Sequence, residues 1–216
     1  MHFSKLSFDE YMSRVASLVR ASLSNSAISA ATAKFGFNEA RLKKGEKLLA
    51  AVSEASEKQE DVIQQKVMAH RQRKKLHAAL RKSYMKHLQI ARIAFDKDAI
   101  SSKALQLTGP RAVNLDAWID QVALFANRLL AKEEWLAKLS EFGISKKDIQ
   151  CLIKDTEELK MVSLNCERLK TQSKKETSLK KVKLKELQRW VSDYLKIAKI
   201  ALEEQPGLYS ELVQQD

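Results

Sequence analysis

Apolar positions recur every three or four residues through most of the chain, the period of an α-helix with one face against a core. Phe8, Tyr11, Met12, Val15, Leu18 and Val19 form one such face, and Leu115, Trp118, Ile119, Val122, Phe125 and Ala126 form another. They predict a first helix over about 8–34 and a matching one over about 115–141. Ser7 with Glu10 has the spacing of a capping box, and Asn114 takes the cap in the second segment. Leu6 with Tyr11, and Val113 with Trp118, have the spacing of hydrophobic staples. Gly36 and Gly143 then stop each helix, because a left-handed residue after the last turn favours glycine. Asn38 and Ser145 cap the next helix, with Phe37–Leu42 and Ile144–Ile149 as staples.

That second helix is expected to run to about Val67 and about Lys170. Its core stripe is Leu42, Leu49, Val52 and Ile63 in one segment, and Ile149, Leu152, Leu159, Val162 and Leu169 in the other. A third helix carries Leu76, Leu80, Tyr84, Leu88, Ala91 and Phe95, matched by Leu184, Leu187, Val191, Tyr194, Ala198 and Leu202. The polar, Ser/Thr-rich run from Thr171 to Ser178 is read as the turn between the second and third helices. One uninterrupted long helix is the alternative. A short fourth helix closes each unit, over Ile100–Leu107 and Gly207–Val213, and Gly109-Pro110 separates the units.

The two segments share one register. Phe35-Gly36-Phe37 matches Phe142-Gly143-Ile144, and Ile90-Ala91-Arg92-Ile93-Ala94-Phe95 matches Ile197-Ala198-Lys199-Ile200-Ala201-Leu202, both at an offset of 107 with no gap. The expectation is an all-α chain of two tandem antiparallel helical-bundle units, 1–108 and 109–216, each of three long helices and one short one. Composition agrees: the chain has 44% hydrophobic residues but only 5 Gly and 2 Pro, too few for many strands and tight turns. The N-terminal Ser- and Ala-rich stretch matches a mid-chain segment, so it is read as a structural helix rather than a transit peptide.

The segment Trp190-Val191-Ser192-Asp193-Tyr194-Leu195-Lys196-Ile197-Ala198-Lys199-Ile200-Ala201-Leu202, followed by Pro206, Leu208 and Leu212, resembles the C-terminal segment of a group of uncharacterised small bacterial helical-bundle proteins. Those proteins read an aromatic residue, then Ile-Ala-Arg-Ile-Ala-Leu, then Pro and a Leu-rich end. The resemblance covers about a tenth of the chain and implies a helical bundle without an associated activity.

Charge changes the picture more than chemistry does. The chain holds 39 Lys and Arg against 27 Asp and Glu, a net of +12, which favours anionic partners. From Lys66 to Arg92 there is no acid, while Lys66, Arg71, Arg73, Lys74, Lys75, Arg81 and Lys82 crowd together. The second unit has Lys174, Lys175, Lys180 and Lys181 at the equivalent place. With a turn between the second and third helices, each hairpin tip would be basic and would suit the phosphates of nucleic acid.

No catalytic residues, cofactor or metal ligands are assigned. His2, His70, His77 and His87 show no metal-ligand spacing, and no Gly-rich phosphate loop or nucleophile elbow occurs. The expected role is therefore a non-enzymatic interaction or scaffold protein, with a protein partner or self-association, and nucleic acid as the alternative partner. No membrane span is expected, since no apolar run approaches about 20 residues. Cys151 and Cys166 lie fifteen residues apart on one helix, too far to bridge, which fits a reducing, cytoplasmic setting.

Overall fold

The computed structural model describes residues 6–214, which form eight α-helices and, among the described residues, no strand. These are α1 (Phe8–Ser24), α2 (Ser26–Ala33), α3 (Glu39–Ala94), α4 (Ala99–Ala104), α5 (Leu115–Leu130), α6 (Glu133–Ser140), α7 (Lys146–Ala201) and α8 (Pro206–Gln214). The starts of α1 and α5, α2 and α6, α3 and α7, and α4 and α8 are each separated by 107 residues. The chain is thus an all-α helical bundle in which α3 and α7 are the long partners.

Local chemistry sets the ends largely as the sequence suggests, with one correction: Val113, read as the staple partner of Trp118, is fully exposed and packs on nothing. Ser7 and Glu10 form the reciprocal capping box of α1, and Asn114 Oδ1 accepts from the backbone of Asp116 and Ala117 at the start of α5. Gly36 and Gly143 adopt φ of +87° and +78°, where a Cβ would be strained. Ser145 and Asp148 repeat the reciprocal cap at the start of α7.

Two expectations about helix continuity are corrected. The first helix of each segment is not continuous: it breaks at Asn25 and at Lys132. Asn25 supplies its own reason, because its side chain accepts from Ala27 and Ile28 and so starts a new helix. The break lets Ile28 and Thr32 of α2, and Trp135, Leu136 and Leu139 of α6, enter the core.

The larger correction concerns the turn expected between the second and third helices. Each of α3 and α7 is one uninterrupted helix of 56 residues. In the Thr171–Ser178 run the hydroxyls satisfy themselves without opening the backbone. Thr171 Oγ1 donates to the Glu167 carbonyl and Thr177 Oγ1 to that of Ser173. No Gly or Pro lies between Gly45 and Gly109, or between Gly143 and Pro206, so nothing in either helix breaks its ladder.

The compact units consequently cut across the expected division at 108. Unit 1 is Met1–Val62 with Gln172–Asp216, and unit 2 is Ile63–Thr171. The core of unit 1 packs Tyr11, Val15, Leu18, Ile28, Phe37 and Leu42 against Leu187, Trp190, Val191, Tyr194 and Leu202. Phe37 meets Tyr194 at 5.2 Å between ring centroids, Trp190 stacks on Tyr194, and Trp190 Nε1 donates to the Arg41 carbonyl. The core of unit 2 packs Trp118, Val122, Phe125, Trp135, Ile144 and Ile149 against Leu80, Tyr84, Leu88, Ala91 and Phe95. Each unit therefore joins the N-terminal half of one 107-residue segment to the C-terminal half of the other.

Candidate polyanion interface

Helix continuity relocates the basic clusters. They are not hairpin tips; they lie along the C-terminal halves of α3 and α7. On α3, Arg71, Lys75, Lys82 and Lys86 recur at spacings of four, seven and four, which keeps them on one helical face. All four are exposed, with Lys74 and Arg81 exposed at its margins. Arg71 and Lys86 are about 22 Å apart along the axis. The opposite face, through Leu80, Tyr84 and Ala91, is the one buried in unit 2.

Lys66 and Arg73 do not join that face. Both are half-buried, on the side of α3 that carries Ala69 and Leu80. Arg73 Nη2 lies 3.1 Å from His70 Nδ1, and Arg73 lines a cleft of about 380 Å³ together with Asp116, Asp120 and Glu167. Those acids offset its charge.

On α7 a longer row appears. Lys174, Lys181, Lys185, Arg189, Lys196 and Lys199 recur at spacings of seven, four, four, seven and three, and all are exposed. Lys175 is exposed beside the row. Lys180 is instead half-buried, with Nζ 4.0 Å from the centroid of the Phe8 ring, so it is a packing cation. Lys185, Arg189, Lys196 and Lys199 continue the row beyond the four lysines singled out from the sequence, and the seven-, four- and three-residue spacings are the signal that finds them.

The charge is distributed by half-helix. Residues 63–94 of α3 hold nine Lys and Arg and no acid, whereas residues 39–62 hold five against six acids. Residues 172–201 of α7 hold nine against three, whereas residues 146–171 hold six against five. Unit 2 as a whole has 21 Lys and Arg against 12 Asp and Glu, a net of +9, and unit 1 has 18 against 15, a net of +3. In the N-terminal half of α3, cations pair with acids one turn away, as in Lys43–Glu39 and Lys58–Glu54. Among the described residues no ion pair involves Arg71, Lys74, Lys75, Lys82 or Lys86.

Other chemistry is sparse. Among the described residues no group of three His, Cys, Asp or Glu side chains could hold a metal ion. His70 and His77 are half-buried and His87 is buried; His2 lies outside the described residues. Both cysteines are free, Cys151 exposed and Cys166 buried. No helix among the described residues is long and apolar enough to cross a membrane. Comparison with protein-family models, with curated proteins and with solved structures finds no match.

Proposed function

We propose that this chain is a non-enzymatic helical interaction protein whose partner is a polyanion, with the phosphate backbone of nucleic acid as the target of the outward face of α3. The observation that carries this reading is the row Arg71, Lys74, Lys75, Lys82 and Lys86, exposed and without acids over residues 63–94. Like charges one helical turn apart, such as Arg71 with Lys75 and Lys82 with Lys86, oppose helix formation by a few tenths of a kcal/mol each. A face selected only for solubility would gain from acids at those spacings, as the N-terminal half of α3 does. A bound polyanion removes the repulsion and releases its own counterions.

The second row, on α7, has the same character. Lys74 and Lys181, Lys82 and Arg189, and Arg92 and Lys199 stand at the 107-residue offset, so the charge recurs with the fold. Neither row carries an exposed aromatic side chain, which base stacking on single strands would use. The expected contact is to backbone phosphate, without sequence reading.

The test is fluorescence anisotropy with labelled duplex and single-stranded oligonucleotides across a salt series. Binding is expected to weaken steeply with salt, and Arg71→Glu, Lys74→Glu, Lys75→Glu and Lys82→Glu together should abolish it with helicity unchanged by circular dichroism. Single Lys→Gln changes on this face should lower the salt slope by about one each. Undiminished binding by the fourfold variant, or no binding by the parent at low salt, rejects the reading.

A further inference from the structure

Unit 2 holds a pocket of about 300 Å³ at the small end of the ligand-site range, lined in part by His77, Arg81, Met85, Arg111, Val113 and Trp118. Its lining contains two guanidinium groups and an imidazole and no acid. Arg111 is built in. Its Nη1 donates to Tyr84 Oη at 2.8 Å, and its Nη2 donates to the carbonyls of Gln106 and Thr108 at 2.9 Å and of Gly109 at 3.2 Å. Four neutral acceptors fix that cation without neutralising it. The exposed Arg81 makes no ion pair among the described residues.

The rest of the lining is apolar. Met85 and Trp118 belong to the packed side, with the His77 ring edge-on to Trp118 at 4.8 Å. Val113 is fully exposed, an apolar side chain with no packing role in the described structure. The positive surroundings register on His77 itself, whose pKa is pushed below its ordinary value by burial and then by Arg81 and Arg73. The other repeat does not reproduce the arrangement. At the 107-residue offset His77, Arg81 and Met85 become Leu184, Gln188 and Ser192, while Trp118 corresponds to Tyr11. The aromatic floor is shared and the cations belong to unit 2 alone.

We infer that this pocket binds a small organic anion: one phosphate or carboxylate head held by Arg81, and an apolar body against Met85, Val113 and Trp118. A guanidinium without a counter-ion offers a planar fork that suits either head. The apolar lining separates such a ligand from inorganic phosphate, and the cations separate it from a neutral aromatic.

The probes are phenyl phosphate and hexanoate, titrated into the full chain while the Trp118 indole N–H is followed by two-dimensional NMR. Trp135 and Trp190, which do not line the pocket, serve as references. One or both probes should shift the Trp118 signal saturably, with the preferred head group identified by which does so. Inorganic phosphate and phenol should each bind at least about tenfold more weakly. Arg81→Gln should weaken binding about tenfold, and Lys82→Gln, which removes the same charge from the neighbouring outward position, should leave it unchanged. No saturation by either probe up to about 10 mM, or equal weakening in the two variants, overturns the assignment. Oligonucleotide binding by the outward face is read separately, since Lys82→Gln affects that and not the pocket.

Discussion

His87 is buried in unit 2 with its Nδ1 lacking a hydrogen-bond partner. The matching residue in unit 1 is Tyr194, whose hydroxyl donates to Ser22 Oγ, while Ser22 in turn donates to the Leu18 carbonyl. The residue that matches Ser22 at the same offset is Leu129, which offers no polar atom. The imidazole is therefore best kept neutral. Burial pushes its pKa below the ordinary value; Asp148 opposes the shift and Lys86 adds to it. With the folded pKa depressed, the unfolded chain takes up the proton first as pH falls through about 6.5. Stability is then present in full above that value and falls as pH drops toward the folded pKa. The melting temperature should decline between about pH 7 and pH 5, a window above the carboxylate range. His87→Leu should flatten part of that decline, leaving the part that His77 contributes in the same direction. An unchanged pH profile in the variant would assign the loss to other groups.

Pairing of the long helices turns on one close approach. A Cβ at Gly45 of α3 would fall 2.7 Å from Cε2 of Trp190 on α7 and closer still to Cζ2 and Cη2. Trp190 cannot easily withdraw, since it stacks on Tyr194 and donates to the Arg41 carbonyl. At the offset of 107 the sizes are reversed: Leu152 replaces Gly45 on α7 and Ser83 replaces Trp190 on α3. Gly45→Leu should therefore destabilise by about 3 kcal/mol or more through overpacking, and Trp190→Ser by about 3–5 kcal/mol through a cavity. The double variant recreates the unit 2 combination and should recover at least about 1 kcal/mol over the sum in chemical denaturation. Strict additivity would show that the two positions do not share a fit. Caps, glycine stops and the outer core faces were legible because each is a local signal. The continuity of α3 was not, because the side carrying its core residues becomes small or polar in mid-helix: Ala55, Gln59, Val62, Lys66, Ala69 and Arg73 follow at alternating spacings of four and three, all buried or half-buried. Ile63, read as core, is exposed, one residue away from Val62. Gln59 donates to Thr177, so this polar stretch is paired rather than looped. The outward basic row was visible as composition, but separating it from Lys66 and Arg73 required the helix phase. The Arg81–Arg111 pocket was invisible, since its residues come from two distant segments; the replacement of His77 and Arg81 by Leu184 and Gln188 at the 107-residue offset was its one sequence trace.

Each compact unit draws on both 107-residue segments, so neither segment contains a complete core. Unit 1 needs Tyr11 to Leu42 from the first repeat and Leu187 to Leu202 from the second; unit 2 needs Trp118 to Ile149 from the second and Leu80 to Phe95 from the first. A chain divided between Thr108 and Gly109 keeps every core residue but splits both cores between two fragments. The cut disturbs the bonds Arg111 makes to the Gln106 and Thr108 carbonyls, which are exposed and few. Fragment 1–108 alone should lose cooperative thermal unfolding, and so should fragment 109–216. Mixed or coexpressed, they should recover helicity and purify as a one-to-one complex. Pairing of each fragment with itself is disfavoured by the same size reversal: two first repeats would set Gly45 against Ser83 and leave a void, and two second repeats would set Leu152 against Trp190 and overfill the space. Analytical ultracentrifugation of the separate and mixed fragments measures this directly. Full helicity and a cooperative transition in each fragment alone, unchanged on mixing, would mean that each repeat closes its own core, and that the division of the units at Val62 and Thr171 is wrong.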